Sequence, residues 1–148
     1  MTKRERMKNE EKHEENTEKE QLNELGKFFA ERSTMSKKQI EAILKTREKE
    51  RLRKGDYILG NRRISKGAFY RIVKQARENI EEAIYTILFM IYQNIITEED
   101  VATLVAFVNL LRTNKIDEEK EEQIKEGVEE AIKKIIKQIT KNRKHEIS

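Results

Sequence analysis

The sequence predicts an all-α protein, and three observations carry that expectation. Apolar residues recur at three- and four-residue spacing through most of the chain, and no strict alternation of the kind a half-buried strand needs stands out. Helix-start signatures punctuate the chain: Thr17-Glu18-Lys19-Glu20, Ser36-Lys37-Lys38-Gln39 and Thr97-Glu98-Glu99-Asp100 have capping-box form, and Ser65 and Asp117 are further cap candidates. None of the 148 residues is proline, so no pyrrolidine ring interrupts the long periodic stretches. The layout expected is a basic N-terminal half joined by a long central helix to a C-terminal helical bundle or dimerisation half.

Taken in order, residues 1–16 are almost wholly polar or charged and read as a disordered arm whose mixed signs suit a passive tail. A basic helical region follows over residues 17–82. Its first helix runs from Thr17 through Leu22, Leu25, Phe28, Phe29 and Arg32, and Ser33-Thr34-Met35 ends it. Ser36 opens a second helix marked by Ile40, Ile43, Leu44 and Leu52. Gly55, Gly60 and Asn61 punctuate Lys54 to Ile64, which reads as a loop, a short hairpin, or a hidden helical turn at Asp56–Leu59. From Lys66 to about Asn94 the helical pattern is continuous, a rod of roughly 43 Å at 1.5 Å per residue. Between Ile84 and Ile96 its apolar residues surround the axis, so more than one side needs covering. Residues 83–141 form the helical core or dimerisation region, with a helix opened by Thr97 and a last one capped by Asp117. Residues 142–148 are a tail.

The net charge of +4 hides an asymmetry. Residues 36–77 carry 14 Lys/Arg against four Asp/Glu, a balance of +10, whereas residues 78–148 carry 10 against 15. A local field of that size attracts polyanions. The Lys/Glu/Ile-rich composition also resembles that of thermophile proteins, where ion-pair networks gain weight with temperature. With no Cys there is neither a disulfide nor a thiolate metal site, and the two histidines, His13 and His145, lie in the polar ends. The acidic clusters Glu81/Glu82, Glu98/Glu99/Asp100 and Glu118 to Glu122 sit at helix starts or exposed faces, and Gly55 to Gly60 lacks the Lys-Ser/Thr of a phosphate loop. No catalytic residue, metal ligand or cofactor is therefore expected, nor a small-molecule substrate. No apolar run reaches the roughly 18 residues of a membrane span and no apolar leader opens the chain, which points to a cytoplasmic, non-membrane protein.

Two segments carry residues suited to nucleic acid. In the first, Leu25-Gly26-Lys27-Phe28-Phe29-Ala30 precedes the break and Ile40 and Ile43 follow Ala30 by ten and thirteen residues. This resembles a helix-turn-helix DNA-binding motif, with Thr34 where a turn glycine is usual and Ser33 at a commonly apolar position. The resemblance implies that Lys37, Lys38, Glu41 and Lys45 occupy the outer face of a reading helix. In the second, Ile64-Ser65-Lys66-Gly67-Ala68-Phe69-Tyr70-Arg71-Ile72-Val73 resembles the reading helix of helix-turn-helix repressors. With Lys66 at zero, Tyr70, Lys74 and Arg77 fall at roughly 40°, 80° and 20°, while Phe69, Ile72, Val73, Ala76 and Ile80 cluster between roughly 240° and 340°. Arg62, Arg63, Ser65 and Arg71 complete this candidate site, with Arg62 and Arg63 just ahead of a helix N-terminus suited to phosphate.

In the C-terminal half, Tyr85, Phe89 and Tyr92, with the seam Val128, Ile132, Ile135 and Ile139, are the candidate dimer interface. The expected function is sequence-specific binding of double-stranded DNA by a homodimer, as a transcriptional repressor occupying an operator. Two other readings compete: a helical scaffold or adaptor meeting an acidic protein partner, and an RNA-binding protein.

Overall fold

In the computed structural model, which describes residues 2–6, 22–113 and 117–147, helix follows helix with one small hairpin between them. A single turn, α1, covers residues 3–6, where Thr2 N–H meets Glu5 Oε2 at 3.1 Å. The remaining helices are α2 (Glu24–Arg32), α3 (Lys37–Glu48), α4 (Lys66–Tyr92), α5 (Glu98–Thr113) and α6 (Glu118–Ile147), and strands β1 (Ile58–Leu59) and β2 (Arg62–Arg63) lie between α3 and α4. The chain divides into two compact units, Met1–Glu81 and Glu82–Ser148.

In the first unit, side chains mark where helices begin. Asn23 Oδ1 accepts the Gly26 N–H at 2.8 Å and starts α2, so Leu22, expected inside that helix, precedes its cap. The proposed start at Thr17 lies outside the described residues. At α3 the capping box forms in both directions: Gln39 N–H donates to Ser36 Oγ and Ser36 N–H to Gln39 Oε1, each at 3.2 Å. Ser33 ends α2, its N–H and its hydroxyl both donating to the Ala30 carbonyl, at 3.2 and 2.8 Å. A polar residue therefore serves the turn by closing a helix end. Ser65 Oγ takes the Ala68 N–H at 3.1 Å and starts α4.

Of the readings open for Lys54–Ile64, the hairpin is the one that forms. Ile58 pairs with Arg63 and Leu59 with Arg62, antiparallel, across the two residues Gly60 and Asn61. Gly60 has φ +61°, the Gly-first pattern of two-residue hairpin turns whose twist matches the strands. Leu59 enters the core beside Ala42, Phe69 and Val73, with Ile43, Leu52, Tyr57, Ile64 and Ile72 packed around them. Phe69 is fully buried; its removal from water stabilises the unit by about 1.5–3 kcal/mol.

The second unit contains the end of α4 with α5 and α6. Helix α4 ends at Tyr92, and Asn94 just beyond it holds φ +58°. Asn94 N–H donates to the Ile91 carbonyl at 3.0 Å and Ile95 N–H to the Met90 carbonyl at 2.9 Å, the paired bonds of a Schellman ending. Thr97 and Asp100 then exchange reciprocal bonds of 3.1 Å to open α5, and Asp117 Oδ1 accepts the Lys120 N–H at 2.9 Å to open α6. Phe107 packs on α6 at Gly127, where an added Cβ would sit 3.2 Å from the ring. Val128 and Ile135 are buried here. Among the described residues no helix is long and apolar enough to cross a membrane.

Candidate nucleic-acid interface

Helix α3 spends one face on the hairpin. Glu41, Lys45 and Lys49 recur every fourth residue, the spacing that stacks side chains on one side of a helix. Glu41 Oε2 accepts the Gly60 N–H at 2.6 Å. Lys45 Nζ donates to the carbonyls of Ile58 and Asp56, the latter at 3.4 Å. Lys49 Nζ bonds Asp56 Oδ1 at 2.6 Å, and Asp56 Oδ2 accepts the Arg53 N–H at 2.7 Å. The Lys49 hydrogen bond, then that from Arg53, holds the Asp56 carboxyl below its ordinary 3.8.

This corrects the sequence reading of α3. Glu41 and Lys45 were expected on an exposed reading face, yet both are half-buried and bonded to the hairpin. The cause is long-range: carbonyls and an amide of the loop and hairpin need partners, and α3 supplies them. Lys37 and Lys38 remain exposed in the first turn of α3.

The outer face of α4 is different. Phe69, Val73 and Ala76 are buried, while Lys66, Tyr70, Lys74 and Arg77 are exposed, together with Arg71, Arg62 and Arg63. Lys74 stands 3.9 Å from Glu78, a surface pair of little energetic weight. Two hollows flank this stripe. One, of about 550 Å³, is lined by Leu52, Tyr57, Tyr70 and Val73 with Lys66 and Arg77. The other, of about 450 Å³, has Lys54, Arg63 and Lys66 on its wall. The structure thus brings Lys66, Tyr70 and Arg77 around one hollow and Arg63 and Lys66 around the other, with Lys66 common to both; Lys37, Lys38 and Lys45 line neither.

An aromatic group braces the stripe from within. Tyr57 meets Phe69 at 5.4 Å and Tyr70 at 6.1 Å between ring centroids, both edge-on. Burial foremost, with Tyr70 close by and hydrogen-bonded, pushes the Tyr57 hydroxyl above its ordinary 10.0. Tyr57 and the neighbouring Arg51 and Lys54 were not among the sequence candidates. The signal available for them is the basic run Arg51-Leu52-Arg53-Lys54 with Tyr57 three residues beyond it.

The candidate dimer residues separate into two sets. Tyr85, Phe89 and Tyr92 are exposed, as is Ile132, and Ile139 is half-buried. Val128 and Ile135 are buried inside the second unit, which removes them from any contact surface and corrects the reading of α6 as one continuous seam. Among the described residues no group of three or more His, Asp or Glu side chains is placed to hold a metal ion. Comparison with known proteins matches no family model, no curated protein and no solved structure.

Proposed function

We propose that this chain is a sequence-specific double-stranded DNA-binding protein of helix-turn-helix type, a transcriptional repressor acting as a homodimer. The observation that carries the reading is the outward stripe of Lys66, Tyr70, Lys74 and Arg77 on α4, set over a buried row of Phe69, Val73 and Ala76. A helix packed on one side and cationic on the other suits a major groove. Helix α4 reads, reached from α3 through the β1–β2 hairpin in place of the motif's usual short turn, since Glu41 and Lys45 of α3 are spent on that hairpin. Arg62 and Arg63 on β2 reach phosphates beside it, and the first turn of α4 after Ser65 offers amides to another. Lys37 and Lys38 add phosphate contacts from α3.

The test is a titration of labelled random-sequence duplex DNA by fluorescence anisotropy at 50 and 200 mM salt, with single-stranded RNA alongside. Six to ten phosphate contacts weaken duplex binding by roughly 10³-fold or more across that range. Absence of duplex binding at low salt refutes the reading, and preference for the RNA replaces it with an RNA-binding one.

A further inference from the structure

Ala83 to Thr97 contains no charged residue, in a chain of which 41% is charged. Within the second unit one face of this segment is not covered: Met90, Ile91 and Ile96 are half-buried, but Ile84, Tyr85, Leu88, Phe89 and Tyr92 are between 55% and 83% exposed. At about 100° per residue these five fall within an arc of roughly 140° on α4, one face of the helix. They leave on the order of 600 Å² in water, most of the roughly 800 Å² that each partner gives to a standard-size interface.

Charge selects the occupant. The strip offers nothing to an acidic or basic partner, whereas two copies of it meet without opposing like charges across 15 residues. The chain's own polar arm does not suit the strip, because residues 7–21 hold a single apolar side chain, Met7. An isologous contact sets residue i of one copy against residue j of the other, and j against i. A strip centred on Leu88 satisfies this, with Ile84 and Tyr92 each four residues away.

We infer that this face of α4 is the two-fold contact between two copies of the chain. The helices cross antiparallel at Leu88, Ile84 facing Tyr92 of the partner subunit. The inference deepens the homodimer reading above and rests on it, but it requires nothing of DNA binding. It also replaces the α6 seam as the interface.

The test uses the full chain without DNA. Sedimentation velocity should give twice 17.7 kDa for the natural protein and for Ile132→Glu on α6, and 17.7 kDa for Leu88→Glu with its helical circular dichroism retained. Because the chain has no cysteine, a single Leu88→Cys should oxidise to a covalent dimer and Lys133→Cys should not. The cross-link decides the matter if Leu88→Glu fails to fold. A natural protein of 17.7 kDa overturns the inference, as does dissociation by Ile132→Glu in place of Leu88→Glu. A dimer that ignores DNA leaves this interface standing and removes the DNA reading, and a DNA-binding monomer does the reverse.

Discussion

Thr34 and Asn79 hold each other by two hydrogen bonds across 45 residues of sequence: Thr34 Oγ1 donates to Asn79 Oδ1 at 2.8 Å, and Asn79 Nδ2 donates to the Thr34 carbonyl at 3.0 Å. Asn79 Nδ2 also reaches Gln39 Oε1 at 3.2 Å, the same oxygen that caps α3. One amide on α4 thereby fixes both the turn between α2 and α3 and the start of α3. Asn79→Ala should cost about 1–2 kcal/mol, or roughly 4–8 °C in Tm per kcal/mol. A double-mutant cycle with Thr34→Val checks it: the two losses should fall short of additive by the worth of the one bond both remove, Thr34 Oγ1 to Asn79 Oδ1, because the Thr34 carbonyl survives in valine.

Stability and DNA affinity should separate between α3 and α4. Lys45→Ala leaves the Ile58 and Asp56 carbonyls without their lysine and should lower stability by about 1–3 kcal/mol. Lys66→Ala and Arg77→Ala touch exposed groups and should leave stability within about 0.5 kcal/mol of the natural protein. Each should weaken DNA binding and lower the salt slope by about one unit. Thermal melts and anisotropy on the three variants check the division.

The acid limb of the stability curve should contain Asp56. Its folded-state pKa lies below 3.8, so folding favours the ionised form. That contribution is present above the unfolded value and is lost as pH falls through the folded one. Asp56→Asn should flatten the loss of stability below pH 4, read by urea melts across the acid range. Tyr57 has the opposite sign. Its raised pKa favours the neutral phenol, so its contribution is present below pH 10 and lost as pH rises through the folded value. Absorbance titration should show a tyrosine step above pH 10.0, and that step should vanish in Tyr57→Phe.

At the end of α4, Asn94 occupies left-handed backbone at φ +58°. Asn94→Gly should leave stability unchanged or slightly raised, while Asn94→Val should cost about 1–2 kcal/mol, since a β-branched side chain crowds that conformation. Urea denaturation of the two variants gives the comparison.

Local chemistry was legible in the sequence where it acts locally. Ser36, Ser65, Thr97 and Asp117 each cap the helix that their spacing announces, because a cap needs only residues two or three positions away. The face of α4 could also be drawn in part from periodicity, which placed Phe69, Val73 and Ala76 inward with Ile72 half-buried beside them, although Ile80, drawn on the same face, is exposed. What periodicity could not supply was the partner of a polar side chain. Lys45 looks like any surface lysine until the hairpin carbonyls 11 and 13 residues on come to meet it. The hairpin itself has only two residues per strand, too few for alternation to register. On α6, Val128 and Ile135 share a stripe with Ile132, yet the first two are buried in a unit where α5 packs on α6 and the third is exposed.

The core of the basic unit is drawn from a short stretch of chain, with Ala42, Leu59, Phe69 and Val73 as its buried members. Closing so short a loop carries a small entropic penalty, and folds built on near neighbours form in microseconds to milliseconds. Synthesis of residues 74–82, which separate that core from the strip, takes about 0.5–2 s at roughly 5–20 residues per second. The cationic surface can therefore be assembled on the nascent chain before the uncharged strip at 83–97 emerges, so that the most aggregation-prone part of the sequence appears already attached to a folded, highly charged neighbour.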